Sequence, residues 1–148
     1  MCLSQTAYDT NDETDWADLV EYAFGDASTY WGRRRIADGH PTIYNLTYFE
    51  LGNEQYNPFW VDSVAAMEAR AAAIGGVPPL HYIYPENGGL NAADAARAVA
   101  LGLPIDRIAP DLHVGAGGAC EEAAGLFSNP PVPGFKQSAI NQVRCRYL

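Results

Sequence analysis

Asn53 and Glu54 close a run of aromatic and branched side chains, Tyr48-Phe49-Glu50-Leu51-Gly52. The run reads as an extended strand. An amide beside a carboxylate at its tip can bind a hydroxyl and move a proton. Asn57 and Pro58 follow as a helix N-cap and a first-turn proline. Strand, polar tip and helix make a βα unit, which presents chemistry at the carboxyl end of a parallel strand. A carboxylate held there protonates a leaving group when its surroundings raise its pKa. The competing reading makes Asn53 and Glu54 only the polar start of a loop.

The elements that would position this pair follow from period and punctuation. Trp16, Leu19, Val20, Ala23 and Phe24 share one helical face, with Thr14 as N-cap and Gly25 as stop. Residues 1–11 carry no clear period. Asp26 to Asn45 reads as a long polar loop holding Trp31, Gly32, Arg33, Arg34, Arg35, Gly39, His40 and Pro41. Loops of this length are functional or disordered. Its aromatic and basic content points to a sugar site or to packing, and the three arginines read as a solvated, salt-bridged turn rather than a phosphate site. A helix from about Pro58 to Ile74 is expected next, with Val61, Val64, Ala65, Ala71 and Ala72 inward and Gly75-Gly76 as its end.

Leu80 to Tyr84 is a short buried strand, and Asn91 caps an alanine-rich helix that runs to Leu101 before Gly102. Ile105 to Val114 is a further strand region, in which Pro110 confines regular pairing to the later half. A helix over about Ala119 to Phe127 and a strand over Gln137 to Val143 complete the pattern. Alternating strands and helices of this length predict an α/β fold with parallel strands and outer helices. A complete (β/α)8 barrel typically needs about 250 residues. The 148 residues therefore read as a small open sheet or as part of a barrel.

Composition narrows the partners. Apolar residues at 48% and charged residues at 18% describe an ordinary globular chain. A net charge of −9 argues against nucleic acid and against an anionic membrane surface. Cys2, Cys120 and Cys145 are too few and scattered for a disulfide framework or a zinc site. Nothing near Met1 reads as a signal peptide, and no apolar run reaches membrane-spanning length. Gly115 to Gly118 lacks the lysine and spacing of a phosphate cradle.

Trp31-Gly32, Asp38-Gly39-His40-Pro41 and Tyr44-Asn45-Leu46, leading into Tyr48-Phe49-Glu50-Leu51-Gly52-Asn53-Glu54-Gln55, together resemble the α-L-arabinofuranosidases of glycoside hydrolase family 51. The likeness runs from about Asp15 to Asn141. It implies a partial, incomplete (β/α)8 barrel over residues 1–148. The implied activity is retaining removal of terminal α-L-arabinofuranosyl residues from plant-type polysaccharides, with no cofactor or metal. Glu54 matches the family's general acid/base at the end of the fourth barrel strand, and Asn53 matches the amide that binds the sugar 2-hydroxyl. Leu80, Ile108 and Gln137 would open the fifth, sixth and seventh strands. His113, at the tip of the sixth, would line the site, while Glu86 and Asp111 read as loop or supporting residues.

The sequence departs from the family after Ser138-Ala139-Ile140-Asn141, where Gln142 to Leu148 contain no acid. A retaining glycosidase needs a second carboxylate roughly 5–5.5 Å from the first. No residue is assigned as that nucleophile, so a truncated piece with little or no activity is expected. The alternative is a non-catalytic α/β carbohydrate-binding module or pseudoenzyme.

Overall fold

The computed structural model describes residues 2–3, 13–52, 59–84 and 91–110. The described elements are β1 (Cys2–Leu3), α1 (Glu13–Phe24), α2 (Tyr30–Ala37), β2 (Tyr48–Leu51), α3 (Trp60–Ile74), β3 (His81–Tyr84), α4 (Ala92–Ala100), a 3-10 turn (Ile105–Arg107) and β4 (Ile108–Pro110). The strands form one sheet in the order β1-β2-β3-β4, every neighbouring pair parallel. Strand alternation with helices therefore gives the α/β arrangement expected from the pattern. β1, in the stretch without period, is only two residues long, too short for any periodic signal.

The register explains the strands' side-chain choice. Tyr48 lies opposite His81, Phe49 opposite Tyr82, and Tyr82 opposite Ile108. Phe49, Leu51, Tyr82, Tyr84 and Ile108 are buried in the core with Trp16, Val20 and Phe24 of α1 and Trp60, Val64 and Met67 of α3. Tyr48 is exposed, while Glu50, His81 and Ile83 are half-buried. One face of the sheet thus carries the main core. Burying each large core side chain is worth about 1.5–3 kcal/mol. Glu21 of α1 ties three helices together, accepting from the Trp31 backbone N–H at 2.9 Å and pairing with Arg70 of α3.

Several expectations are corrected. The long polar loop contains α2, because Thr29 Oγ1 accepts from the Gly32 N–H as N-cap and the Asp26 carboxylate receives the Ser28 N–H at 2.8 Å. Its three arginines are not one solvated turn. Arg33 and Arg34 are exposed, whereas Arg35 is 1% exposed. Arg35 donates to the carbonyls of Tyr22 (2.8 Å), Ala23 (3.2 Å) and His40 (3.0 Å), so it satisfies the last turn of α1 and clamps the segment after α2.

Thr14 lies inside α1, which begins one residue earlier. α3 begins at Trp60 with Phe59 as N-cap, two residues later than expected, while Asn57 and Pro58 lie outside the described residues. Ala72 is exposed rather than inward. Pairing in the 105–114 region is found before and at Pro110, which lies opposite Tyr84. Proline removes one donor from a ladder, a loss an edge strand tolerates, and β4 is outermost among the described residues. Asn91 does cap α4, accepting from Ala93 N–H (3.0 Å) and Asp94 N–H (2.9 Å). Gly75, Gly76 and Gly102 follow their helices at φ +74°, +69° and +68°, where only glycine is unstrained.

Candidate active-site edge

In open parallel sheets, ligands bind beyond the carboxyl ends of the strands. Here that edge begins at Leu51, fully buried, and Gly52, also buried and held at φ +121°. A side chain is strained at that backbone angle, so glycine is what lets the chain leave β2 in this direction. Asn53 and Glu54 come next in the sequence and lie outside the described residues, as do His113, Glu86 and Asp111. The described structure therefore brings none of the expected site residues together.

What it does describe is the frame at the carboxyl edge of β2 and β3. Tyr84, the last residue of β3, is buried, and its phenol donates to Asp94 Oδ2 at 3.4 Å. The same oxygen accepts from Asn91 Nδ2 at 2.7 Å. The end of β3 and the start of α4 are thereby one hydrogen-bonded unit. Trp60, the first residue of α3, is fully buried and sets its indole edge-on to Tyr84 (centroids 5.0 Å, 75°) and Tyr82 (6.5 Å, 84°). Its indole N–H has no hydrogen-bond partner among the described residues. Sequence reading missed Trp60; its signal was position, an aromatic residue six places after Glu54 at the opening of the crossover helix.

The amino end of the sheet is chemically different. Tyr82 donates to Glu68 Oε1 at 2.7 Å, and Arg107 donates to Glu68 Oε2 at 2.8 Å and to the Leu80 carbonyl at 2.8 Å. Burial, reinforced by the Glu68 carboxylate, pushes the Tyr82 phenol far above its ordinary pKa and keeps it neutral. Glu68, Leu80 and Arg107 border an open depression of about 460 Å³ that also touches Gly75, Val77 and Pro79. The side chains of Glu68, Tyr82 and Arg107 already have protein partners, so the cluster joins α3 to β3 and to the turn that leads into β4. Among the described residues no group of three or more His, Cys, Asp or Glu side chains could hold a metal ion, and no helix is long and apolar enough to cross a membrane.

The residues that carry the family resemblance divide in the same way. A Cβ at Gly32 would stand 2.1 Å from the Asp26 carbonyl oxygen and 2.6 Å from the Gly25 carbonyl carbon. Trp31-Gly32 is thus a close backbone approach between α2 and the turn that precedes it. Gly39, at φ +92°, ends α2 through a bond from its N–H to the Ile36 carbonyl at 3.1 Å. Both are scaffold features.

Fold and edge together define the class as a parallel α/β protein whose strands succeed one another in chain order. Residues 5–77, which include α1, α2, β2 and α3, match the family described as alpha-L-arabinofuranosidase 1 domain. Over 44 residues the chain is 46% identical to an extracellular exo-alpha-L-arabinofuranosidase of Streptomyces chartreusis. The aligned stretch covers 30% of this chain and 5% of that relative's length. The N-terminal region of the chain is therefore arabinofuranosidase-related. No solved structure matches the chain.

Proposed function

We propose that the chain is part of the catalytic domain of a retaining α-L-arabinofuranosidase acting on terminal arabinofuranosyl residues of plant-type polysaccharides. β1 to β4 are then consecutive strands, third to sixth, of a (β/α)8 barrel. The observation that carries the reading is the end of β2: inside the matched region, a buried parallel strand stops at Leu51-Gly52 immediately before Asn53-Glu54. Sequential strand order and helices between the strands support it.

In this reading Glu54 protonates the leaving glycosidic oxygen and later takes a proton from the attacking water. Asn53 holds the sugar 2-hydroxyl, a contact that strengthens as positive charge develops at the anomeric carbon, and His113 lines the site. Retention requires a carboxylate nucleophile on the opposite face of the ring, and no residue of this sequence is assigned to it. The chain supplies the acid/base half of the chemistry and turns over weakly or not at all by itself.

A small external anion tests that division of labour. Azide can attack the anomeric carbon in place of the absent carboxylate, while Glu54 protonates the departing aryloxide and the product is a glycosyl azide. With an aryl α-L-arabinofuranoside carrying a poor leaving group, phenol release should depend on azide and vanish in Glu54→Gln. Release that is independent of azide, or unchanged in Glu54→Gln, refutes the assignment. Arabinoside binding with no azide-dependent release would favour a binding module without chemistry.

A further inference from the structure

We propose that the end of α2 and the segment that follows it, together with the last turn of α1, form a non-catalytic carbohydrate-binding surface that grips the polysaccharide away from the carboxyl edge. The ligand class rests on the proposed arabinofuranosidase reading, but the surface itself does not involve Asn53 or Glu54.

The groups that meet there suit a sugar. Tyr22 and Tyr44 stack with ring centroids 6.3 Å apart and planes 20° apart, and the His40 ring lies against Tyr44 at 5.8 Å. Tyr22 and Tyr44 are half-buried and His40 is exposed, so the cluster reaches solvent. Aromatic rings offer an apolar surface for the C–H face of a sugar and a polar tip beside it. Asp38 accepts from the Tyr22 phenol at 3.2 Å and from Arg34 Nε at 3.3 Å. Both charged side chains remain open to water, at 63% and 37% exposure for Arg34 and Asp38. Asp38 keeps free lone pairs, Arg34 engages only its Nε among the described contacts, and the exposed His40 ring carries a donor and an acceptor nitrogen. Donors and acceptors for vicinal hydroxyls thus rim an aromatic patch.

The patch is also held in place. Buried Arg35 fixes the His40 carbonyl, the His40 N–H returns to the Arg35 carbonyl at 3.1 Å, and the Tyr44 N–H donates to the Ala23 carbonyl at 2.9 Å. A surface segment clamped by a buried guanidinium loses little freedom when it binds. It leads into the amino end of β2, so a sugar gripped there sits a strand's length from the residues that follow Leu51. A polymer can span that distance and a monosaccharide cannot.

The test is affinity electrophoresis of the full chain in gels containing soluble branched arabinan, with dextran as the control polymer. The wild-type chain and Glu54→Gln should be retarded equally by arabinan and not by dextran. His40→Ala and the His40→Ala/Asp38→Ala pair should weaken retention, the pair by about fivefold or more, as truncating an important contact does. Both positions are exposed, so melting temperatures should stay near wild type, and Tyr22→Phe, which keeps the ring, should retain most of the binding. Three results each overturn the surface: no arabinan-specific retardation of the wild type, full retention by a folded double variant, or loss of retention in Glu54→Gln. If azide-dependent release fails while the variants behave as stated, the catalytic reading falls and the surface stands.

Discussion

Replacing Arg35 by Met keeps most of the aliphatic stem and removes a guanidinium that is 1% exposed. Three carbonyls lose the guanidinium: Tyr22 and Ala23 at the end of α1, and His40 beyond α2, and of these Ala23 keeps the Tyr44 N–H as a donor. A hydrogen bond to a charged group contributes about 1.5–3 kcal/mol, and an orphaned buried acceptor costs about 1–3 kcal/mol. The positive charge also sits at the negative end of the α1 dipole. Against these gains stands the cost of burying a charge for which no carboxylate partner is found among the described contacts, so the three bonds do not simply add. The net loss in Arg35→Met should be about 3–5 kcal/mol, the range seen when a buried charged network is broken. For a chain of this size that is a fall in Tm on the order of 10 °C. Urea and thermal unfolding followed by circular dichroism measure it, with Arg34→Met as control. Arg34 is exposed and pairs with Asp38 four residues on, a contact worth about 0.3–0.5 kcal/mol. An Arg35→Met loss under about 1 kcal/mol, or an equal loss in Arg34→Met, would show that the clamp does not hold α1 to α2.

Three further outcomes are expected. Gly32→Ala should destabilise by about 1–3 kcal/mol or more, since its Cβ would meet backbone atoms of Gly25 and Asp26; near-wild-type unfolding would contradict the close approach. Asn91→Ala should cost about 1 kcal/mol by removing the α4 cap, read as a lower urea midpoint with unchanged slope. The raised Tyr82 pKa means that the unfolded phenol ionises near pH 10 while the folded one stays protonated, so its contribution is complete below that pH and falls above it by up to about 1.4 kcal/mol per unit. Tyr82→Phe should remove that one-proton slope from the alkaline side of the stability profile, and an unaltered slope would show that Tyr82 ionises in the folded state.

Helices with one apolar stripe were legible from the sequence, and so were the stops that need glycine. α1 announces itself through Trp16, Val20, Ala23 and Phe24, and α4 through Asn91 and Gly102. α2 was not legible because Arg33, Arg34 and Gly32 hide its period, and because Arg35 is inward for its polar head rather than for its apolar stem. A charge run looks the same whether its middle member faces water or three carbonyls; only tertiary contact separates the cases. The start of α3 moved because Phe59, which caps without a side-chain bond, carries no capping signal of its own. For the site, the strand and its glycine were legible, and the described structure adds the backbone angle at Gly52 and the Trp60 packing behind it.

The two ends of the sheet treat their polar groups differently, and the difference bears on where chemistry belongs. At the amino end Tyr82, Glu68, Arg107 and the Leu80 carbonyl satisfy one another, which is what a stabilising joint requires. At the carboxyl end a buried indole N–H at Trp60 has no partner among the described residues, at a cost of about 1–3 kcal/mol. One residue past β2, Gly52 holds a backbone angle that other residues adopt only under strain. A sequence that satisfies local rules at one end and departs from them at the other tends to do so where function demands it. In the sequence both departures lie next to residues 53–58, which open with the Asn-Glu pair that follows Gly52. A catalytic role for that pair would account for both the glycine angle and an indole N–H left without a partner among the described residues. If the pair is merely a polar loop start, Gly52→Ala should prove neutral for azide-dependent release once its stability loss is matched; the catalytic reading requires release to fall further than stability does.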